Sequence, residues 1–163
     1  MQDKALYVLA GYDDDTEKYL AGIQNKLYEQ GFFGRHTKNI PQHITLGFFP
    51  VEKEEELKEM LQKLGETQLS FEISFNHVGI FGGSNVLFVA PDSNKELLEL
   101  KEKFGEGFGW TPHTTMIIDE PNVILKALPI VMNEFMSFEG KVTTLHLYEF
   151  WPTRHILSVE LLG

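Results

Sequence analysis

Cysteine is absent from the 163 residues, which removes disulfides, thiolate nucleophiles and Cys-ligated zinc from consideration. Long hydrophobic runs are missing as well. The longest near the N-terminus, Ala5 to Tyr12, is far shorter than a membrane span and has no basic lead-in followed by a cleavage site, so a cytoplasmic chain without anchor or secretory signal is expected. Positive charge is scarce: 14 Lys and Arg stand against 24 Asp and Glu, a formal net charge of −10. Long duplex nucleic acid held by its phosphates demands a basic face, so such a partner is not expected. Neither His-x-His nor HExxH occurs, and no metal site or cofactor is expected.

What is present suffices for a folded core. Apolar residues make up 42% of the chain and include 13 Phe, 5 Tyr and 2 Trp, outside the composition of disordered chains. Strand-like and helix-like patterns alternate. Lys4 to Tyr12 reads as a strand and leads into Asp13-Asp14-Asp15-Thr16, where acids favour a helix N-terminus. Leu20, Ile23 and Leu27 continue at helical spacing to a stop at Gly31. His43 to Phe49 reads as a strand ended by Pro50. Leu57, Met60, Leu61 and Leu64 mark an amphipathic helix with Gly65 at its stop. Leu69 to Ile80 alternates as a strand, a Gly-rich turn follows, and Val86 to Ala90 is a short apolar strand. Ser93 and Glu96 form a capping box for a helix bearing Leu97, Leu100 and Phe104. His113 to Ile118 is a strand. Pro129 is expected to interrupt the apolar segment Asn122 to Met136, and the strands Phe138 to Phe150 and His155 to Leu162 close the chain.

This order occurs twice. The first copy reads ALYVLA, helix, HITL, helix, SFEISF; the second reads NVLFVA, helix, HTTM, helix, SFEGKV. The expectation is a single domain over residues 1–163 made of two similar lobes, about 4–82 and 85–150, with a C-terminal strand at 154–162. The fold class is α+β: two pseudo-symmetric β-α lobes with mostly antiparallel sheets around a central cleft, helices outside.

Each copy carries one His-x-Thr, at His43-Ile44-Thr45 and His113-Thr114-Thr115. Residues i and i+2 of a strand share a face, so each His sits beside its Thr while Ile44, Leu46 and Met116 face the other way. Two imidazoles and two hydroxyls brought to one cleft suit phosphoryl chemistry. One neutral His removes a proton from the attacking oxygen, the other, protonated, donates to the leaving oxygen, and a pKa near 6.5 permits both states near neutral pH. The hydroxyls can donate to non-bridging phosphate oxygens. Either His can hold either role. His77 and His146, at corresponding points of the two copies, read as structural or exposed.

The duplicated His-x-Thr in duplicated context, with VGIFG before VLFVA and a late LYEF, resembles the two-histidine (2H) phosphoesterase superfamily, also described as 2′-5′ RNA ligase-like or cyclic phosphodiesterase proteins. That resemblance implies His43 and His113 as acid and base, and Thr45 and Thr115 as phosphate ligands. It further implies metal-independent action on a 2′,3′-cyclic nucleotide or the 2′,3′-cyclic phosphate end of an RNA. A non-catalytic binder of nucleotides or RNA ends, and a 2′-5′ RNA ligase or end-processing enzyme, are the alternatives. The partner is then a small nucleotide or an RNA terminus, and a monomer is expected.

Local charge agrees with an anionic ligand. Phe32 to Pro50 contains no acid and includes Arg35, His36 and Lys38, so the approach to the first His is neutral to basic. Arg35, Lys38 and Arg154 are candidate phosphate contacts. Phe49, on the face of His43 if the strand is regular, is a candidate for stacking on a base.

Overall fold

The computed structural model describes residues 3–163. Strand β1 (Ala5–Tyr12) is followed by α1 (Asp14–Glu29), β2 (His43–Pro50), α2 (Glu54–Thr67) and β3 (Phe71–Phe81). The order then repeats as β4 (Val86–Pro91), α3 (Lys95–Glu102), β5 (Thr114–Ile118), α4 (Pro121–Glu134) and β6 (Phe138–Phe150), and β7 (Arg154–Glu160) ends it. The fold is α+β, with one antiparallel seven-stranded sheet ordered β2-β1-β6-β3-β4-β5 and β7 beside β6. The strand that closes each β-α-β-α-β series lies against the opening strand of the other. Thus β6 pairs with β1 from Ala5↔Phe150 to Tyr12↔Val142, and β3 pairs with β4 from Phe75↔Pro91 to Phe81↔Val86. Direct pairing of β3 with β6 makes the two expected sheets continuous.

Local chemistry places the helices. The Asp13 side chain caps α1 by accepting from the Thr16 amide, Leu20, Ile23 and Leu27 are buried, and Gly31 beyond the end takes φ +86°. Three expectations are corrected. Asn94, not Ser93, caps α3, its Oδ1 accepting from the Leu97 amide at 2.8 Å. Gly65 does not end α2 but lies inside it; a Cβ there would come 3.2 Å from Val159 Cβ and 3.3 Å from Glu160 O, so its role is to let the helix lie against β7. Pro129 does not interrupt α4. The carbonyl it leaves without an i+4 donor belongs to Leu125, which is exposed, so water can serve it.

The sheet's two faces differ. Leu6, Val8, Ala10, Ile44, Leu46, Leu87, Val89, Met116, Leu145 and Leu147 are fully buried in the main core, together with Leu20, Leu61, Leu97 and Val131 of the helices. Burial of each of the Leu, Ile, Val and Met side chains stabilises the fold by about 1.5–3 kcal/mol. The opposite face carries no helix core. It holds two smaller clusters, Leu9, Tyr148 and Phe150 on one side and Val86, Phe88 and Ala90 on the other. No helix among the described residues is long and apolar enough to cross a membrane.

Candidate active site

Strand alternation delivers both motifs to the open face. His43 and Thr45 lie on one side of β2 while Ile44 and Leu46 enter the core. His113 immediately precedes β5, where Thr115 faces the open side and Thr114 and Met116 the core. The two ends of the sheet path, β2 and β5, then meet. Tyr12 donates its hydroxyl proton to Thr114 Oγ1 at 2.6 Å, and Thr114 Oγ1 donates to the carbonyl of His43 at 2.9 Å. This buried chain ties the strand of one motif to the backbone of the other. Burial holds the Tyr12 phenol well above its usual range, keeping it a neutral donor.

The two imidazoles are held alike. His43 Nδ1 is 2.8 Å from the Pro41 carbonyl and His113 Nδ1 is 2.9 Å from the Thr111 carbonyl, each two residues upstream. A carbonyl only accepts, so each Nδ1 carries a proton and each neutral ring presents Nε2 as a base. Burial lowers the pKa of His43, and the charge of His113 lowers it further, against the opposing carbonyl of Pro41. Burial likewise lowers that of His113, against the carbonyl of Thr111. His113 is braced by Phe81 at 4.7 Å, edge to face, and Phe88 at 5.4 Å between ring centroids.

Beside His43 lies a cavity of about 180 Å³. His43, Thr45, Thr114 and Thr115 line it, with an apolar wall of Tyr7, Ile40, Phe150 and Trp151 and a polar wall of Gln24, His36, Thr37 and Gln42. The polar wall is cross-linked. Gln42 donates to Gln24 Oε1 at 2.8 Å, Gln24 Nε2 donates to the Met116 carbonyl at 2.9 Å, and His36 Nε2 lies 2.8 Å from Tyr28 Oη. His36 is buried, which with the charge of Lys38 lowers its pKa to about 4. Trp151 Nε1 donates to Thr37 Oγ1 at 2.9 Å and fixes the rim. Among the described residues no group of three or more His, Asp or Glu could hold a metal ion.

The other sequence candidates sit elsewhere. Phe49 packs against the core and not beside His43. Leu9 opposes Thr45 but Val8 opposes Gly47, so β2 bulges at Leu46 and its alternation inverts. Phe48 takes the open face instead, 71% exposed and 5.9 Å from Tyr7 between ring centroids. Arg35 points to Glu120 at 2.9 Å and does not line the cavity. Lys38 donates to the carbonyls of Gly34 and His36, stapling the loop that forms the polar wall. Arg154 opens β7, engaged by Glu149 and Glu54 rather than by the cavity. His77 is exposed and paired with Asp92 at 3.4 Å. Of the cavity walls, Tyr7, Gln24 and Gln42 have no sequence signal beyond the closeness of Gln42 to His43.

Comparison with known proteins agrees with this fold. No curated protein matches the chain. LigT of E. coli, in a structure with ATP, superposes with a TM-score of 0.62 at 18% identity over 100% of both chains. LigT with 3′-AMP gives 0.64 at 15% identity over 99% of this chain and 100% of that one. TT0787 of Thermus thermophilus gives 0.62 at 16% identity over 98% of each. These likenesses show the fold. The family model for the 2′-5′ RNA ligase superfamily matches residues 12–150, a span that contains both His-x-Thr motifs, and the chain therefore belongs to that superfamily of two-histidine phosphoesterases.

Proposed function

We propose that this protein is a metal-independent phosphodiesterase that opens a 2′,3′-cyclic phosphate on a nucleotide or an RNA end. The observation that carries the reading is the matched pair of Nδ1-to-carbonyl bonds, which leaves two Nε2 atoms of the same tautomer, with His113 outside the cavity lining but near enough to His43 for its charge to act on it. One neutral imidazole takes a proton from water as the water oxygen bonds to phosphorus. The bond from phosphorus to one ribose oxygen breaks in line, and the other imidazole, protonated, gives that oxygen its proton. Burial keeps both rings predominantly neutral without substrate, so the anionic phosphate is what raises the acid's pKa on binding. Thr45 and Thr115 donate to the non-bridging oxygens. The cavity is smaller than the roughly 300–1,000 Å³ of common small-molecule sites. It takes part of a nucleotide between Tyr7, Phe150 and Trp151 and leaves the rest in the open groove. LigT, with its bound ATP and 3′-AMP, supports a nucleotide ligand.

The test is turnover of a 2′,3′-cyclic nucleotide with products resolved. Replacing His43 or His113 by Ala is expected to lower kcat by about 10²- to 10⁴-fold with the fold intact, and EDTA is expected to change nothing. Wild-type rates in both variants would overturn the assignment. A cyclic nucleotide bound and returned unchanged by the wild type would identify a binder instead.

A further inference from the structure

Each turnover of a two-imidazole site leaves one ring with a proton too many and the other with one too few, so a proton must leave and another must arrive before the next cycle. His43 forms part of the cavity wall, and a nucleotide in that cavity covers its open side. A second row of polar groups runs away from His43 on the same sheet face. Gly11 of β1 lies directly opposite His43. A Cβ on Gly11 would fall 2.5 Å from His146 Nε2 and 3.0 Å from its Cδ2, so the His146 ring occupies the space where a side chain would stand. His146 reaches this space from β6, on the far side of β1 from His43. Behind it, His146 Nδ1 and His155 Nε2 each lie 2.7 Å from Ser158 Oγ. Ser158 and His155 are exposed.

We propose that His146, Ser158 and His155 form a proton relay that connects His43 to solvent across the side-chain-free strip at Gly11. This rests on the phosphodiesterase reading of the site and deepens it. A hydroxyl between two ring nitrogens donates to one and accepts from the other, so the row has two arrangements. In the first, His146 Nδ1–H donates to Ser158 and Ser158 donates to His155 Nε2. A proton from His43, carried by a water between the two rings, lands on His146 Nε2. The Nδ1 proton passes to Ser158, the Ser158 proton passes to His155 Nε2, and the His155 Nδ1 proton leaves to water. The second arrangement results, and the reverse sequence brings a proton in; only N–H and O–H bonds are exchanged. His146 does not touch substrate and acts through His43. The other titratable groups around His146 are His155 from β7 and the Tyr148 phenol on its own strand, 6.2 Å between ring centroids, while Glu160 is engaged by Thr144 at 3.2 Å. Burial, with the charges of His43 and His155, lowers the pKa of His146 to about 4, so the ring does not hold an extra proton and takes one on Nε2 only as it gives one up from Nδ1.

The test is Ser158→Ala, which removes the central hydroxyl from an exposed strand position. At low buffer concentration kcat on a 2′,3′-cyclic nucleotide is expected to fall about tenfold with KM unchanged. Added imidazole restores it in proportion to its concentration, while the wild type ignores the buffer. Wild-type kcat in the variant, or a loss that imidazole does not restore, overturns the relay. A substrate-free arm separates this from the activity itself. Exchange of the His43 imidazole proton with water, read from ¹⁵N line shapes, is expected to slow in Ser158→Ala; an unchanged rate overturns the relay whether or not any cyclic phosphate is turned over. Absence of turnover in the wild type, by contrast, overturns the phosphodiesterase reading.

Discussion

Replacing Thr114 by Val tests the tie between the two motif strands. The substitution keeps the shape and deletes one hydroxyl from a residue 1% exposed. Tyr12 then has a buried O–H with no acceptor, and the His43 carbonyl loses its donor. A buried polar group left unpaired costs about 1–3 kcal/mol, and the carbonyl, at a strand edge, recovers part of its loss in water, so about 2–4 kcal/mol of destabilisation is expected. Urea unfolding followed by both fluorescence and far-UV circular dichroism measures it, with the slope against urea unchanged. Adding Tyr12→Phe removes the orphaned hydroxyl. The double variant is therefore expected to be less destabilised than the sum of the single ones, by about 1 kcal/mol or more. A Thr114→Val loss below about 0.5 kcal/mol, or strict additivity with Tyr12→Phe, would refute the reasoning, because the hydroxyl chain would then carry no energy.

Phe48→Ala is expected to leave stability within about 0.5 kcal/mol and to raise KM for a nucleotide substrate, whereas Phe49→Ala, at a half-buried position, is expected to cost about 1–3 kcal/mol with KM unchanged; kinetics and unfolding on the same preparations check both. Gly11→Ala is expected to push the His146 ring from its place, and His146→Ala in the same chain to restore part of the lost thermal stability; no recovery in Tm would count against the close approach. His36 makes one contribution to the pH dependence of stability, beside those of His43, His113 and His146. Its pKa falls from 6.5 to about 4 on folding, so between those values the unfolded chain binds more protons. The stabilisation is complete above about pH 6.5 and is lost as pH falls toward 4, by on the order of 3 kcal/mol. Urea midpoints at pH 7 and pH 4.5 are expected to differ more for the wild type than for His36→Gln, and parallel curves would exclude the effect.

Much of the site was legible because strand alternation is local. A His and a Thr at i and i+2, with Ile44 or Met116 between or beyond them, already declare one polar and one apolar face. Phe49 shows where that logic stops. The bulge at Leu46 comes from pairing with β1 and reverses every side chain after it. Its one sequence mark was Gly47, where a Cβ would come 2.8 Å from the Phe104 carbonyl. The basic candidates failed for a related reason. Arg35 is engaged by Glu120, 85 residues away in sequence, so the lack of acids from Phe32 to Pro50 could not reveal its neutralisation, and Arg154 is engaged by Glu54, 100 residues away, as well as by the nearby Glu149. Caps are short-range, yet Ser93 and Asn94 are both good candidates, and only the backbone geometry decides for Asn94.

The exchange of closing strands has a consequence for the order in which the protein comes off the ribosome. When residues up to Phe81 have emerged, β1 has β2 on one side and nothing on the other, and β3 has neither of its partners. Open strand edges of this kind invite pairing with other chains. The edge of β1 stays bare until β6 has been made, some 60 residues later, and the His43 strand cannot be tied down by Thr114 before β5 arrives. The nascent first half is therefore the aggregation-prone species, and a stall between β3 and β4 is the point at which a chaperone would find most to hold.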